Sequence, residues 1–454
     1  MKTLITGGTL IDPLSHVHAK LNLLLDGGKI AGCTEEMPDA DRVIHADGKI
    51  VSPGFIDIHM HEGVRNADGT LDESIFCSLL RMGVTSALGG NCGNNTVYSP
   101  AEYLRMVDDM GIPLNLGLFV GHTDARVRAG GADKYAPIDD ATQKKMLANL
   151  ESELDAGCVG VSFGLKYTPG TTQEEFWKVC SLCRQKGKPI SVHIREDAVG
   201  AVDAVREVAE AAKRFGIQAE ISHIGSMAGF GQMKETLSLV DQYVLNGANI
   251  GLDCYPYDAF STEIGETTYD DGWLERYDTD YASIELCDGE WKSMRCTEEM
   301  FRSLRKNAPE TITVCHVMKS EEVEMALLHP NTVLVTDGFV HNGQGHPRAA
   351  GTFPRFLKEY VRTGKISMDE AIAKMSSVPA QRFGLESKGR LCAGADADIV
   401  IFNPNEVADM ATYGDPATPP VGIDYVIVAG EVAVQNNDII NGRLGRSLRF
   451  FGNP

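Results

Sequence analysis

Eight short apolar runs alternate with helical stretches along the middle of this 454-residue chain. Strand and helix patterns that alternate in this way are typical of parallel sheets, and eight repeats predict a TIM (β/α)8 barrel in the α/β class. The runs span residues 55–59, 85–90, 114–120, 160–165, 189–194, 219–223, 248–255 and 332–337. A barrel of about 250 residues or more accounts for most of the chain but leaves both ends unassigned.

Both ends of the chain have the pattern of β structure. Residues 1–53 are short β-like runs separated by turns, and similar runs return after residue 389. Because the two ends flank the barrel, we predict one small β-sandwich domain built from residues 1–53 and 389–454. The barrel then covers residues 54–388 and carries a long insertion at about residues 261–330, which contains an extra apolar run at 311–316.

Composition restricts the partners and the cellular compartment. A net charge of −21 argues against nucleic acids and anionic membranes, since both require basic patches, but a small anionic substrate needs only one or two local cations. No apolar run approaches the ~20 residues that a membrane helix needs, and residues 1–8 are too short and too rich in glycine for a signal peptide. Eleven cysteines without a disulfide framework predict a reducing, cytoplasmic setting, and homo-oligomerisation is left open.

The most informative short motif is the pair His59 and His61 at the end of the first barrel run. Residues i and i+2 of a strand point to the same side, so both imidazoles can converge on one point. Functional residues of a TIM barrel lie at the carboxyl ends of its strands. The other candidates at these ends are Cys92, Lys166, His193, His223 and Asp337. Imidazole, thiolate and carboxylate donors suit Zn²⁺, so the set favours a metal-dependent hydrolase.

Longer stretches of the chain resemble one enzyme family. They are residues 53–61 (PGFIDIHMH), 90–93 (GNCG), 164–170 (GLKYTPG), 191–196 (SVHIRE), 221–223 (ISH), 253–257 (DCYPY), 336–338 (TDG), 346–348 (HPR) and 394–402 (GADADIVIF). In this order, and over nearly the whole chain, they resemble the amidohydrolase superfamily and, within it, the N-acyl-D-amino-acid deacylase (D-aminoacylase) family. The GNCG element separates this family from most of its relatives in the superfamily.

The resemblance implies a metal centre with one or two zinc ions. The implied ligands of a tight zinc ion are Cys92, His193 and His223. His59, His61 and Asp337 would hold or frame a weaker second metal, and the Cys92 thiolate could bridge the two. Asp337 would also accept the proton of the attacking water and pass it to the leaving amine.

The resemblance also implies a substrate, a small molecule that carries a carboxylate. Arg348 resembles the family's clamp on the substrate α-carboxylate, a bidentate task that suits a guanidinium group. Tyr167 and Tyr257 are further candidates for hydrogen bonds to the substrate. The implied reaction is zinc-dependent cleavage of the amide of an N-acyl-D-amino acid to a carboxylate and a free D-amino acid.

Two positions depart from the family pattern. The family usually has a second histidine and then a lysine, a substrate-carboxylate contact, after the sixth-strand histidine, whereas this chain has Ile224 and Gly225. Conversely, Lys166 stands where an apolar residue is expected. We favour the interpretation that Lys166 replaces the lost cation. The alternative is a carboxylated Lys166 that bridges two metals, as fourth-strand lysines do in hydantoinases and dihydroorotases.

Two other functions remain open at this point. A carboxylated Lys166 would favour a cyclic-amide or dipeptide hydrolase of the dihydroorotase, hydantoinase or isoaspartyl-dipeptidase type. A catalytically silent barrel that acts as a binding or assembly subunit would be expected to lose metal ligands, and this chain keeps the full set.

Overall fold

The computed structural model describes residues 1–341 and 343–451, and the chain begins with β structure. The first strands are β1 (Lys2–Thr6), β2 (Thr9–Asp12), β3 (Val17–Lys20), β4 (Asn22–Asp26), β5 (Lys29–Thr34), β6 (Arg42–His45) and β7 (Ile50–Pro53). Four of them form one sheet in the order β5-β4-β1-β6, and the other three belong to a second sheet.

Strands and helices alternate from residue 55 to residue 254. The strands are β8 (Phe55–Asp57), β9 (Val84–Gly89), β10 (Asn115–Leu118), β11 (Val120–Gly121), β12 (Val161–Gly164), β13 (Ile190–His193), β14 (Ala219–Ile221) and β15 (Ile250–Cys254). The helices are α1 (Ser74–Arg81), α2 (Pro100–Met110), α3 (His122–Ala129), α4 (Asp140–Asp155), α5 (Gln173–Lys186), α6 (Ala201–Phe215), α7 (Ile224–Ala228) and α8 (Met233–Leu245). All of these strands are parallel and buried, as expected when helices cover the outer face.

An inserted unit follows β15. Its strands and helices are β16 (Phe260–Glu263), α9 (Trp273–Tyr277), β17 (Ile284–Leu286), α10 (Glu298–Asn307), β18 (Ile312–Cys315) and α11 (Ser320–Leu328). The three strands form a separate antiparallel sheet in the order β16-β18-β17. The extra apolar run predicted at 311–316 is therefore the central strand of this sheet.

The barrel closes between its first and last strands. The last strand is β19 (Thr332–Leu334), which pairs with β15. Beyond its end, the Asp337 N–H donates to the His59 carbonyl at 2.8 Å and the His61 N–H donates to the Gly338 carbonyl at 2.9 Å. Closure therefore brings the histidine pair of the first strand next to the aspartate of the last.

The C-terminal part of the chain returns to the N-terminal β structure. The remaining elements are α12 (Arg348–Phe356), α13 (Met368–Ile372), α14 (Val378–Arg382), β20 (Ile399–Phe402), β21 (Ile423–Val428), β22 (Glu431–Gln435) and β23 (Asp438–Ile439). The second sheet has the order β23-β22-β21-β20-β7-β2-β3 and so contains strands from both ends of the chain. One apolar cluster joins the two sheets, including Ile5 and Leu23 of the first and Val51 and Ile399 of the second. The predicted fold, a TIM barrel with a small β sandwich built from both termini, is confirmed.

The last described residues do not follow the predicted domain division. We placed residues 389–454 in the β sandwich, but the segment after β23 runs along the barrel. There the Gly445 N–H donates to the Ile112 carbonyl at 2.8 Å and the Leu448 N–H to the Leu116 carbonyl at 2.7 Å. These bonds occupy backbone groups of the barrel strand β10 and of the residues just before it, so this segment belongs with the barrel. The other boundaries stay a prediction.

The chain passes from the sandwich to the barrel at Gly54. β7 pairs with β2 and β20 in the sandwich, whereas β8 pairs with β9 in the barrel. Gly54 lies between them, and a Cβ atom at this position would clash with the Thr85 side chain. A glycine lets the chain pass close to β9 as it changes sheets.

The outer helices have the ends expected from their sequences. α5 begins after Thr172, whose hydroxyl accepts the Glu175 N–H, and ends at Gly187 in the left-handed conformation with φ 62°. Its two cysteines, Cys180 and Cys183, are buried in the apolar core, so this CxxC pair is a packing feature. No helix within residues 1–341 and 343–451 is both long enough and apolar enough to cross a membrane.

Candidate metal centre

The predicted donor side chains lie together at the carboxyl end of the barrel. His59 and His61 follow β8, and Asp337 follows β19. Cys92 follows β9, His193 is the last residue of β13 and His223 follows β14. Parallel strands end at the same rim, so residues more than 270 positions apart in sequence meet there.

One group of donors consists of Cys92, His193 and His223. One ligand atom from each lies within 4.8 Å of the others, and the Cys92 Sγ is 3.5 Å from the His223 Nε2. Burial raises the pKa of the Cys92 thiol, but His59 and His223 more than offset this and hold that pKa well below its usual range. Burial and the neighbouring His223 lower the pKa of His193. These shifts favour a thiolate and a neutral imidazole, the protonation states in which the two side chains bind metals.

A second group shares Cys92 and adds His59, His61 and Asp337. The Asp337 Oδ1 lies 3.0 Å from the His61 Nε2 and 3.3 Å from the His59 Nε2. The His59 Nε2 is also 3.4 Å from the Cys92 Sγ. The Cys92 Sγ is therefore common to the two donor groups.

Three of these donors have an unusual backbone conformation. Cys92, His223 and Asp337 have φ values of 56°, 32° and 47°, in the left-handed region that favours glycine. Each such residue costs of the order of 1–3 kcal/mol, and such conformations are concentrated at functional sites. The surrounding barrel holds three strand ends in this conformation, and in each case the side chain points into the centre.

Asp253, a buried aspartate that was not among the predicted site residues, contacts the His59 imidazole and the backbone of His223. The Asp253 Oδ2 lies 3.1 Å from the His59 Nδ1, and its Oδ1 accepts the backbone N–H of His223. Burial lowers the pKa of His59, but Asp253, Cys92 and Asp337 more than offset this and raise it well above its usual value. The sequence does contain a sign of this role. Asp253 is an acidic residue inside the otherwise apolar seventh run, where a buried carboxylate needs a partner.

Arg348 lies at the floor of the centre, beside Asp337. Its Nη2 is 2.9 Å from the Asp337 Oδ2, and its guanidinium stacks over the Tyr255 ring at 4.5 Å. Burial raises the pKa of Asp337, but Arg348, His223 and His59 hold it well below its usual range. Arg348 is 1% exposed, and within the described part of the chain its Nε and Nη1 have no hydrogen-bond partner. Two buried cationic donors are thus available to a ligand.

The two predicted tyrosines differ in position. Tyr167 lines the central cleft, and its ring centre lies 4.4 Å from that of His193. Tyr257 is only 5% exposed, and its hydroxyl donates to the Pro347 carbonyl at 3.4 Å while Arg355 covers its ring. The Tyr257 hydroxyl is thus directed into the packing behind the centre, and its contact with the substrate stays a prediction.

Lys166 is paired with two carboxylates beside the inserted unit. Its ammonium group lies 3.0 Å from the Glu196 Oε2 and 3.3 Å from the Asp197 Oδ1, and it does not line the cleft. Asp197 is also bound by Arg276 and by the Tyr277 hydroxyl of the inserted unit. Because Tyr167 takes the cleft side of this loop, Lys166 is directed toward the insertion. This position favours neither a substitute for the missing cation nor a carboxylated bridge, and both interpretations stay predictions.

A cleft of about 600 Å³ opens above the two donor groups. Its barrel side is formed by residues around the strand ends, and its outer side by the inserted unit and the loop after β19. The described lining residues with charged side chains or imidazoles are His61, Glu62, Asp72, His223, Glu263, Glu266, Asp288, Glu310, Asp337, His341 and Arg348. A cavity of this size suits a small molecule.

The donor set fits zinc. A thiolate with two imidazoles is a combination that Zn²⁺ prefers, and carboxylate with imidazole completes a second set. The His193 Nδ1 is buried and, among the residues described, has no hydrogen-bond partner, as expected for a nitrogen reserved for an ion.

Comparison with known proteins gives a consistent assignment. The amidohydrolase family profile matches residues 326–434. The N-acyl-D-glutamate deacylase of Alcaligenes xylosoxydans xylosoxydans is 30% identical over 98% of this chain and 96% of its own length. The D-aminoacylase of the same organism is 29% identical over 98% of this chain and 97% of its own length.

A solved relative has the same architecture. The N-acyl-D-glutamate deacylase of Bordetella bronchiseptica, crystallised with zinc and a phosphonate that mimics the tetrahedral intermediate, is 28% identical. The alignment covers 98% of this chain and 99% of that one, with a TM-score of 0.87. The predicted family is therefore confirmed: this chain belongs to the N-acyl-D-amino-acid deacylase (D-aminoacylase) family of amidohydrolases, enzymes that hydrolyse carbon–nitrogen bonds other than peptide bonds.

Proposed function

We propose that this protein is a zinc-dependent amidohydrolase that cleaves N-acyl-D-amino acids to a carboxylate and a free D-amino acid. The main support for this proposal is that three features lie together at one rim of the barrel. A Cys–His–His donor group, a carboxylate shared with two further histidines and a buried arginine with two unpartnered donors all line or adjoin the same cleft.

The metal would be held by residues of this chain alone. Cys92, His193 and His223 would bind one zinc ion, and His59, His61 and Asp337 with Cys92 would bind or frame a second. When bound, zinc supplies Lewis-acid chemistry that polarises an amide carbonyl and lowers the pKa of water toward ~7.

Asp337 is the proposed proton carrier. Arg348, His223 and His59 keep its pKa low, so it is a carboxylate and can accept a proton near neutral pH. Water oxygen attacks the amide carbon while Asp337 takes a water proton. As the carbon–nitrogen bond breaks, Asp337 returns that proton to the departing nitrogen, which leaves as the amine.

Arg348 is the proposed anchor for the α-carboxylate of the substrate. Its Nε and Nη1 point to no other described group, and a buried guanidinium binds a carboxylate strongly because water does not compete. The family lysine that is absent at Gly225 has no substitute at Lys166, so Arg348 would carry this contact without it. Tyr167, beside His193, is placed to contact the acyl end.

The rival, a cyclic-amide or dipeptide hydrolase, depends on a carboxylated Lys166. Carboxylation requires a free amine beside the metals, whereas the Lys166 ammonium is bound to Glu196 and Asp197. The deacylase is therefore the better supported function. The eleven cysteines are all free, which suits the reducing cytoplasm, and we place the enzyme there as part of the proposal.

The test is amine release by zinc-loaded enzyme from matched N-acetyl-D- and N-acetyl-L-amino acids, with dihydroorotate, a hydantoin and an isoaspartyl dipeptide in the same panel. We expect turnover of D-acyl compounds only. Turnover confined to the cyclic amides or the dipeptide would overturn the proposal, and equal turnover of D and L compounds would overturn the enantiomer preference.

A further inference from the structure

The outer side of the cleft is strongly acidic. We use the name acidic wall for Glu263, Glu266, Asp288 and Glu310, which all come from the inserted unit and all line the cleft. They collect at one end of the small sheet. Glu263 pairs in register with Ile312, whose N–H in turn donates to the Asp288 carboxylate at 3.4 Å.

These carboxylates repel one another and are incompletely neutralised. Burial raises the pKa of Glu263, and Glu266, Glu310 and Asp288 raise it further. Lys134 lies 3.4 Å from Glu266 and offsets part of the charge. Burial raises the pKa of Asp288, whereas His341 lowers it and offsets another part of the charge. A cation brought to this wall would therefore be attracted by several carboxylates at once.

The same cleft also contains a buried guanidinium group. Among the described lining residues, Arg348 is the only lysine or arginine, and it is 1% exposed with two unpartnered donors. Its Nη2 is paired with Asp337, whereas its Nε and Nη1 have no hydrogen-bond partner among the described residues. The lining also includes the apolar side chains of Ile312, Phe339 and Val340. The cleft therefore presents one arginine, apolar surface and the acidic wall to a ligand.

We propose that the acidic wall selects substrates with a cationic group remote from the carboxylate, so that the enzyme prefers N-acyl-D-amino acids bearing a basic group over neutral or acidic ones. This selectivity rests on the deacylase activity proposed above. The methylene stem of a lysine-like group would pack on these apolar lining residues while its ammonium pairs with the wall. Sequence identity does not choose a side chain, because a deacylase named for D-glutamate and a D-aminoacylase match this chain at 30% and 29%.

The basic group can belong to either half of the substrate, and one panel separates the two sources. Nα-acetyl-D-lysine carries it on the side chain, and Nα-(6-aminohexanoyl)-D-norleucine carries it on the acyl group. Nα-acetyl-D-norleucine is the neutral reference, and Nα-acetyl-D-glutamate is the acidic one. We expect kcat/KM for at least one basic compound to exceed that of the reference about 10-fold, with D-glutamate below it, because partly buried charge pairs act over a few ångströms.

Variants that remove carboxylate charges test whether a preference for basic substrates arises from the acidic wall. Glu263→Gln combined with Glu310→Gln should reduce the ratio of kcat/KM for the basic compound to kcat/KM for Nα-acetyl-D-norleucine to about 3-fold or less. Both side chains are exposed, so the variants are expected to fold, and each single variant provides a check. Glu299→Gln is the matched control, since Glu299 is an exposed glutamate of α10 that does not line the cleft.

The two possible failures are distinguishable. If Nα-acetyl-D-norleucine is hydrolysed as fast as both basic compounds, or if the double variant keeps the full preference, the wall does not select cations and the inference is wrong. If no member of the panel is hydrolysed by zinc-loaded enzyme, the proposed function fails and the selectivity fails with it.

Discussion

The floor and the outer wall of the cleft differ in origin and in chemistry. The floor is built from the ends of barrel strands, is buried, and concentrates thiol, imidazole and one arginine-paired carboxylate within a few ångströms. The wall comes from an insertion between the seventh and eighth strands and consists of partly exposed carboxylates. From this difference we expect that the barrel residues catalyse the reaction and that the insertion determines which substrates are preferred. Floor variants should then affect all substrates alike, whereas wall variants should change their ranking.

The largest effect is expected from Cys92→Ala. This change removes the donor that both groups share, so zinc content and activity on every substrate should be lost together. Metal analysis of the purified variant and amine-release assays provide the measurement. Cys180→Ala is the matched control, because Cys180 is a buried cysteine of α5 outside the centre and its loss should spare both zinc and turnover. If the Cys92→Ala enzyme were active, the donor groups of the floor would not be required for the reaction.

Asp337→Asn tests the proton transfer separately from metal binding. The amide keeps the shape of the side chain but cannot accept a proton, so kcat should fall by about 10²- to 10⁴-fold. The zinc ion held by Cys92, His193 and His223 should remain, as measured by metal analysis. Retention of near-full kcat would mean that another group carries the proton.

Asp253→Asn should have an intermediate effect. The substitution removes the charge that orients His59 and the backbone of His223, and changes of this kind cost about 10- to 100-fold in metal affinity or activity. Zinc titration of the metal-free variant, followed by assays on neutral and basic substrates, would show the loss. A change in substrate ranking rather than a uniform loss would contradict the separation of floor and wall.

Lys166→Gln should have the smallest effect on chemistry. Its ammonium pairs with Glu196 and Asp197 away from the donors, so zinc content and kcat should stay close to those of the parent. Stability should fall by about 1–2 kcal/mol through the lost charged hydrogen bonds, as measured by urea unfolding. Loss of stoichiometric zinc from this variant would revive the carboxylated bridge.

The floor could be predicted from sequence because the fold itself places it. Once eight strands were recognised, their carboxyl ends had to meet, and His59, His193 and Asp337 followed from position alone. Asp253 lies on a strand of the same barrel but was missed, since a lone aspartate in an apolar run does not reveal which backbone and side-chain groups it binds. The sequence pattern gives no distances between these side chains. The distances follow from the structure, in which the hydrogen bond between residues 59 and 337 closes the barrel.

The remaining features of the site depend on the directions of side chains, which the periodicity of the sequence does not determine. Lys166 and Tyr167 are neighbours in a turn after β12, and only the packing of the insertion decides that the tyrosine faces the cleft and the lysine faces Asp197. The wall carboxylates are spread over residues 263–310 of the insertion, where the repeated strand–helix pattern of the barrel is absent. Their convergence follows from the pairing of β16 with β18.

Stepwise return of zinc to metal-free enzyme tests the central claim most directly, with hydrolysis of Nα-acetyl-D-norleucine and of its L enantiomer measured at each step. We predict that activity on the D compound rises with the first equivalent of zinc, and that the L compound stays uncleaved. Full hydrolysis of the D compound by enzyme without measurable zinc would contradict the account.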